Sequence, residues 1–335
     1  MNNQPLAGGL RDVVHIIPLG HEIDRAVAPF TKNKADRAYI LAIPPDADLD
    51  PGMVKKQHYF VGRVTGRLQE LGIAVTFVPV AMFDILDVLK VVSFLIRTEK
   101  EAGNAVYVNM SSCGRKTSVA VTLAAMVHEV PLYYVSADRY ATGGGEEECE
   151  HGLSIVENVR TEVFQRFRIM MPKPENVMLL VELLQRKESG GDGMTSEEII
   201  GFFHSIGVHG YEEEKLHTAE RDAYQRAKKK RALLNRMNRG YLRELEEQGY
   251  VERRWQGRNF SIQVTKAGEH IACVSGLIPG SGVECKISCP MAGSVYLPVA
   301  LVNLPGRLMI DLYGICGGIR KLTFPGRIIC LQKWL

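Results

Sequence analysis

Apolar and polar positions fall into alternating blocks over the first 140 residues. VVHIIPLG (13–20) is almost continuously apolar and ends in Pro and Gly, and EIDRAVAPFTKN (22–33) has helical spacing. RAYILAIP (37–44) is a second apolar run closed by Pro44, Pro45 and Asp46, followed by a charged amphipathic stretch over 52–71. IAVTFVPV (73–80) precedes a helical stretch from Phe83 to Glu101. AVYVNMSS (105–112) precedes RKTSVAVTLAAMVHE (115–129), and PLYYVSAD (131–138) is the fifth run. Strands that are apolar on both faces belong inside a parallel sheet covered by helices. Their alternation with helical stretches predicts βαβ units and an α/β, Rossmann-like three-layer sandwich. Ligands of such sheets sit beyond the carboxyl ends of the strands, at the point where strand order reverses.

The pattern then changes. RYATGGGEEECEHG (139–152) has three consecutive glycines and four glutamates and reads as a solvated loop, a flexible flap. Residues 153–171 read as a strand or hairpin, alternating in TEVFQRFRIMM, and Pro172 and Pro174 break what precedes them. ENVMLLVELLQRK (175–187) is an amphipathic helix, and TSEEIIGFF (195–203) opens with a Ser/Thr cap and two glutamates. A polar helical stretch from about 212 to 230 runs on into RALLNRMNRGYLRELEEQG. YVERRWQ (250–256) and FSIQVT (260–265), joined by Gly257, Arg258 and Asn259, form a hairpin. Helix, helix, basic helix and hairpin make a winged helix-turn-helix. The expected organisation is therefore a Rossmann-like domain over 1–140, a connecting loop and hairpin over 141–173, and a winged helix-turn-helix domain over 174–275. A tail over 276–335, rich in Gly and Pro, shows no persistent period.

Composition narrows the class without choosing a function. Apolar residues make up 46% and charged residues 24%, with a net charge of +3. No apolar stretch reaches the roughly 18 residues a membrane span needs, and no signal-peptide pattern opens the chain. The seven cysteines include no CxxC pair, and Cys285-x-x-x-Cys289 with distant Cys316 and Cys330 does not match zinc spacing. The expectation is a cytoplasmic chain with reduced thiols, no metal and no membrane.

The segment from Asn109 to Lys116 concentrates polar chemistry at the mouth of the sheet. A strand delivers Asn109, Ser111, Ser112, Cys113 and Gly114 to its carboxyl edge, and a helix begins near Arg115. A helix N-terminus offers free N–H groups and a favourable dipole to an anion. Serine hydroxyls, a backbone bared at Gly114, and the cations Arg115 and Lys116 all suit phosphate. Neither G-x-G-x-x-G nor G-x-x-x-x-G-K-[ST] is present, which disfavours a dinucleotide cofactor and a P-loop. Cys113 beside Arg115 invites a thiol nucleophile, but a phosphatase-type loop wants its Arg further round, where Val119 stands. Alternatively, Ser111 and Ser112 simply cap the helix.

Asn109-x-Ser111-x-x-x-Arg115 resembles the [DN]-x-[ST]-x-x-x-[RK] signature after the fourth strand of CARF domains, the CRISPR-associated Rossmann fold. With the winged helix downstream, residues of about 10–275 resemble the archaeal CARF–winged-helix transcriptional regulators. The resemblance implies a homodimer that binds a cyclic oligoadenylate, commonly the tetra-adenylate, between two copies of this loop. Carried over, it assigns ligand contacts to Asn109, Ser111, Ser112, Gly114, Arg115 and Lys116, with Gly20 and His21 as a second wall. His21 also reads as a cap of the first helix. The long helical stretch over 212–230 and the acidic loop over 146–150 depart from the family.

Between Arg226 and Arg258 stand eleven basic and four acidic residues, a local balance of +7 in a chain of +3. Such clustering is the footprint of a phosphate-backbone binder. Lys228, Lys229, Lys230 and Arg231 suit backbone contacts to double-stranded DNA. Asn235, Arg236, Asn238 and Arg239 can read base edges, and Arg254 and Arg258 belong to the wing. The other reading is a solvated charged helix in a protein-interaction module. Two activities follow: a ligand-responsive DNA-binding transcriptional regulator, or a metal-independent ring nuclease that cuts the cyclic ligand.

Overall fold

A computed structural model describes residues 11–142, 145–164, 169–212, 223–256 and 259–280, and the backbone of 299–304, 307–312 and 320–325. The chain divides into two compact units.

The first unit comprises residues 1–193, 245–252 and 263–282. Its elements are β1 (Val13–Pro18), α1 (Asp24–Val27), β2 (Arg37–Ala42), α2 (Pro51–Glu70), β3 (Ala74–Pro79), α3 (Ile85–Glu101), β4 (Ala105–Asn109), α4 (Arg115–Val127) and β5 (Leu132–Val135). They are followed by β6 (Arg139–Tyr140), α5 (Glu146–His151), β7 (Ser154–Ile155), β8 (Thr161–Phe164) and α6 (Pro174–Glu188). The main sheet has the order β3-β2-β1-β4-β5-β8; β8 alone runs antiparallel. Strand order reverses at β1, which pairs with β2 on one side and β4 on the other. The ligand-binding crevice of such a sheet therefore lies between the carboxyl ends of β1 and β4.

The apolar runs explain this architecture. Ile17, Leu19, Ile23, Ile40, Phe60, Val64 and Leu68 form one core layer under α1 and α2. Ile16, Val88, Val92, Ile96, Val108, Val121 and Ala124 are also buried, on β1, α3, β4 and α4. The α-helix expected over 22–33 is shorter: α1 gives way to a tight 3₁₀ turn over Ala28–Thr31. Pro29 supplies no N–H and ends regular α-helical bonding there.

The acidic loop is the largest departure from expectation. It forms α5, and the segment is fastened rather than free. Lys56 pairs with Glu148 at 2.8 Å, and Arg139 with Glu147. Tyr59 and Arg67 donate to the carbonyls of Cys149 and Glu150, each at 3.0 Å. Gly152 adopts φ +84°, and a Cβ there would lie 2.6 Å from the Ile23 amide nitrogen, so only glycine fits.

The second unit comprises residues 194–244, 253–262 and 283–335. Its described elements include β9 (Met194–Thr195), α7 (Ser196–Ser205) and α8 (Ala223–Met237). A π-helical turn over Asn238–Leu242 leads into α9 (Arg243–Glu247), and the wing is β10 (Val251–Gln256) and β11 (Asn259–Val264). The expected cap is present: the Thr195 hydroxyl accepts from the Glu198 amide, and Glu198 reaches back to the Thr195 amide. Phe203, Tyr211 and Tyr241 cluster, with Phe203 4.7 Å from Tyr241. The wing and β9 share a sheet of order β10-β11-β9.

Two features had no counterpart in the sequence reading. Helix α10 (Lys266–Val274) is capped by Thr265 and packs against α6 and α3 within the first unit. In the tail, β12 (Val299–Leu304), β13 (Arg307–Leu312) and β14 (Arg320–Pro325) form an antiparallel sheet in that order. VALVNL and RLMIDL lack the polar–apolar alternation that marks a half-buried strand, so no period announced them.

Candidate functional site

The β1 and β4 loops are bonded to each other. The Gly20 amide donates to the Ser112 carbonyl at 2.7 Å, and the Ser112 hydroxyl donates to the Pro18 carbonyl at 2.8 Å. Asn109 is fully buried; its amide donates to the Arg25 carbonyl at 3.0 Å. Its Oδ1 accepts from the Ser111 amide at 2.8 Å and from the Ser111 hydroxyl at 2.6 Å. Ser111 and Ser112 are 3% and 0% exposed. These three side chains form a frame: their polar groups are occupied within the protein, and they hold the loop in shape.

The exposed groups are those that follow. Gly114 is the N-cap of α4 in extended backbone, with no side chain capping the first turn. The leading N–H groups of α4 are thus left to solvent or ligand. A Cβ at Gly114 would meet nothing within 4 Å. Glycine is not required there by internal packing, and the open space lies over bare backbone. Arg115 and Lys116 are exposed, and Lys116 Nζ donates to the Phe83 carbonyl at 2.6 Å. Thr117 is buried and donates to the Met82 carbonyl at 3.0 Å, which secures the turn from below.

Cys113 lacks the lowered pKa of a thiol nucleophile. Burial pushes its thiol up to about 11, so it is protonated at neutral pH. His21 packs its ring 5.2 Å from Phe60. Burial, and then the nearby Lys56, lower its pKa, with Glu148 opposing, so the imidazole is predominantly neutral at pH 7.

Arg25, which the sequence reading passed over, stands behind this frame. It donates to the Ser111 carbonyl at 3.4 Å and to the Tyr134 hydroxyl at 3.1 Å, and pairs with Glu22 at 3.7 Å. Glu22 accepts from the Ser154 amide and hydroxyl at 3.1 and 2.7 Å. Burial raises the Glu22 pKa against the pull of Ser154 and Arg25. A basic residue beside Glu22 and Asp24 was the available signal, but its hydrogen-bond partners lie 86 to 109 residues away.

In the second unit, the basic residues separate into two groups. Lys228, Arg231, Asn235 and Arg239 are exposed and recur every three or four residues, so they share one face of α8 and its continuation. Three of the others are engaged with neighbouring groups. Lys230 pairs with Glu197 at 2.6 Å. Arg236 donates to the Gly210 carbonyl and lies over the Tyr211 ring. Asn238 donates to the Leu234 carbonyl at 2.9 Å and accepts from Arg253 at 2.9 Å. Lys229 and Arg254 are exposed. Arg258 lies outside the described residues. The buried side is supplied by Met237 and Leu242, both 0% exposed. The π-helical turn alters the angular register between Arg236 and Arg243; such turns recur at functional sites.

Fold and site together define a Rossmann-like parallel sheet followed by a winged helix domain, the two-domain order that the resemblance implied. Residues 13–140 match the family model described as HFX_2341_N-like, N-terminal, and residues 175–276 match that of the DUF6293 C-terminal winged helix domain. The Uncharacterized protein MJ1513 of Methanocaldococcus jannaschii is 24% identical over 210 residues. The match covers 57% of this chain, and the chain spans 60% of that relative's length. Among solved structures, VC1899 from Vibrio cholerae is similar at 14% identity and TM-score 0.32, over 78% of this chain and 64% of that one. Can2 from Sulfobacillus thermosulfidooxidans, in complex with cyclic tetra-adenylate, is 10% identical with TM-score 0.31, over 78% and 63%. Enterococcus italicus Csm6, bound to cyclic hexa-2'-fluoro-hexa-dAMP, is 13% identical with TM-score 0.33, over 71% and 58%. No helix among the described residues is long and apolar enough to cross a membrane.

Proposed function

We propose that this chain is a CRISPR-associated, ligand-responsive transcriptional regulator. A homodimer would bind a cyclic oligoadenylate between two copies of the β4–α4 loop, and the winged helices would bind double-stranded DNA. The observation that carries the first half is the uncapped N-terminus of α4, with exposed Arg115 and Lys116 at the sheet's switch point. It presents an anion site on a frame held rigid by Asn109, Ser111 and Ser112. The exposed stripe of Lys228, Arg231, Asn235 and Arg239 supports the second half. A symmetric ring suits a two-fold interface, which presents each cation twice. In this reading, Gly20, Gly114, Arg115 and Lys116 meet the ligand, His21 lines the neighbouring wall, and the buried residues position them. A ring-induced change in the separation of the two recognition helices would alter affinity for a palindromic site.

Ring cleavage is the second reading, favoured by the neutral His21, which has the protonation state of a general base. The hydroxyls of Ser111 and Ser112 already donate within the protein and are not free to stabilise a developing charge. The test is DNA binding with and without cyclic tetra-adenylate, and chromatography of the nucleotide after incubation. Intact ring and a ligand-dependent change in DNA affinity support the regulator; linear product with no change in DNA affinity supports the nuclease.

A further inference from the structure

The ring of Tyr140 is 68% exposed, beside a buried cation. The Arg25 guanidinium carbon lies 5.8 Å from the Tyr140 ring centroid and 5.2 Å from that of Tyr134. The same guanidinium donates to the Ser111 carbonyl, so Arg25 links Tyr140 to the β4–α4 loop. Arg25 is 8% exposed, and its Nε is buried with no hydrogen-bond partner. Its other nitrogens donate to the Ser111 carbonyl and the Tyr134 hydroxyl.

The backbone of Tyr140 is anchored from several sides. Tyr140 pairs with Ser154, and the Ala141 amide donates to the Leu153 carbonyl at 3.1 Å. Ser154 is in turn bonded to Glu22, the ion-pair partner of Arg25. The ring is therefore carried on a fixed strand, with a cation toward one side and much of its surface open. An exposed aromatic on a rigid support loses little conformational entropy when a planar group covers it. Ring–cation attraction favours this placement.

We propose that Tyr140 is the stacking platform for a purine base of the ligand, with Arg25 as its buried backing. This rests on the proposed reading of the anion site and extends it from phosphate to base. Phosphates would sit at the N-terminus of α4, and the adjacent base would reach across the Ser111 loop to the exposed ring. Stacking of this kind is tolerant of base identity, so Tyr140 would contribute affinity, while discrimination of adenine would need edge contacts.

The experiment is calorimetric titration of the full chain with cyclic tetra-adenylate, for wild type, Tyr140→Phe and Tyr140→Leu, with molecular mass by light scattering. The Phe variant keeps the π-face and should bind within about twofold of wild type. The Leu variant, which removes two platforms from each ring, should bind at least roughly thirtyfold more weakly, at about 1 kcal/mol or more per stacked base, with mass unchanged. Wild-type affinity in Tyr140→Leu would overturn the platform and leave the anion site standing. A loss of mass in Tyr140→Leu with affinity per assembled particle unchanged would assign the ring to subunit contact instead. Absence of binding by wild type would remove the underlying reading and this inference with it.

Discussion

The Ser112 hydroxyl donates to the Pro18 carbonyl at 2.8 Å across 94 residues of sequence. It binds the carboxyl end of β1 to the loop after β4, at the point where strand order reverses. With Asn109 and Ser111 it makes a buried lattice on which the exposed residues of α4 are carried. Stability and ligand binding should therefore separate along this loop.

Asn109→Ala removes three hydrogen bonds in a fully buried position. Each orphaned buried group costs about 1–3 kcal/mol. The urea midpoint should fall clearly, and any loss of ligand affinity would follow from the disturbed loop. Arg115→Ala and Lys116→Ala act at exposed positions and should shift stability by no more than about 0.5 kcal/mol. An Asn109→Ala protein as stable as wild type would contradict this division.

Gly152→Ala should be strongly destabilising. Its backbone conformation is accessible essentially to glycine alone and costs other residues about 1–3 kcal/mol. The added Cβ also collides with the Ile23 amide and the His21 carbonyl. Limited proteolysis should then cut within α5, where the wild type should resist cleavage. Unchanged protection would show that the acidic segment does not depend on this close approach.

Acid should weaken the fold before most carboxylates titrate. Burial lowers both His15 and His128 to about 4 from the ordinary 6.5. Between those values the unfolded chain binds more protons than the folded one, so stability falls as pH drops from 6.5 towards 4. Glu22, raised by burial, opposes this, because its folded form takes up a proton more readily than its unfolded form. The urea midpoint should be lower at pH 5 than at pH 7, with the His15 ring resonances not titrating above pH 5. A midpoint that rises on acidification would reverse the assigned sign.

The domain order and the exposed start of α4 were legible because both rest on local pattern. Continuous apolar strands mark a doubly covered sheet, and Gly114-Arg115-Lys116 ahead of an apolar helix marks an exposed N-terminus. What pattern did not reveal is long-range. The acidic segment looked solvated because Lys56, which pairs with Glu148, and Arg67, which donates to the Glu150 carbonyl, lie more than eighty residues earlier. Ser112 looked like a ligand donor because the Pro18 carbonyl that occupies it becomes a neighbour only once the sheet forms, whereas Ser111 is occupied by Asn109, two residues away. Arg25 was invisible for the same reason. Along α8, by contrast, the exposed stripe was already written in the three- and four-residue spacing.

The stripe gives a prediction for DNA. Lys228→Ala, Arg231→Ala and Arg239→Ala should each weaken binding and lower the logarithmic salt slope by about 1, if each meets a phosphate. Arg236→Ala should instead lower stability, because its guanidinium is engaged with the Gly210 carbonyl. Filter binding across a salt series, beside urea unfolding, measures both. Equal salt slopes in all four variants would place the DNA surface elsewhere.

The central claim is that the α4 N-terminus is a cyclic oligoadenylate site on a rigid frame. It is tested most directly by calorimetric titration of wild type and the Arg115→Ala/Lys116→Ala double variant with cyclic tetra-adenylate. The expected result is one ring per two chains for wild type and at least a tenfold loss in the variant, at an unchanged urea midpoint. No heat from wild type at high ring concentration, or equal binding by the variant, would contradict it.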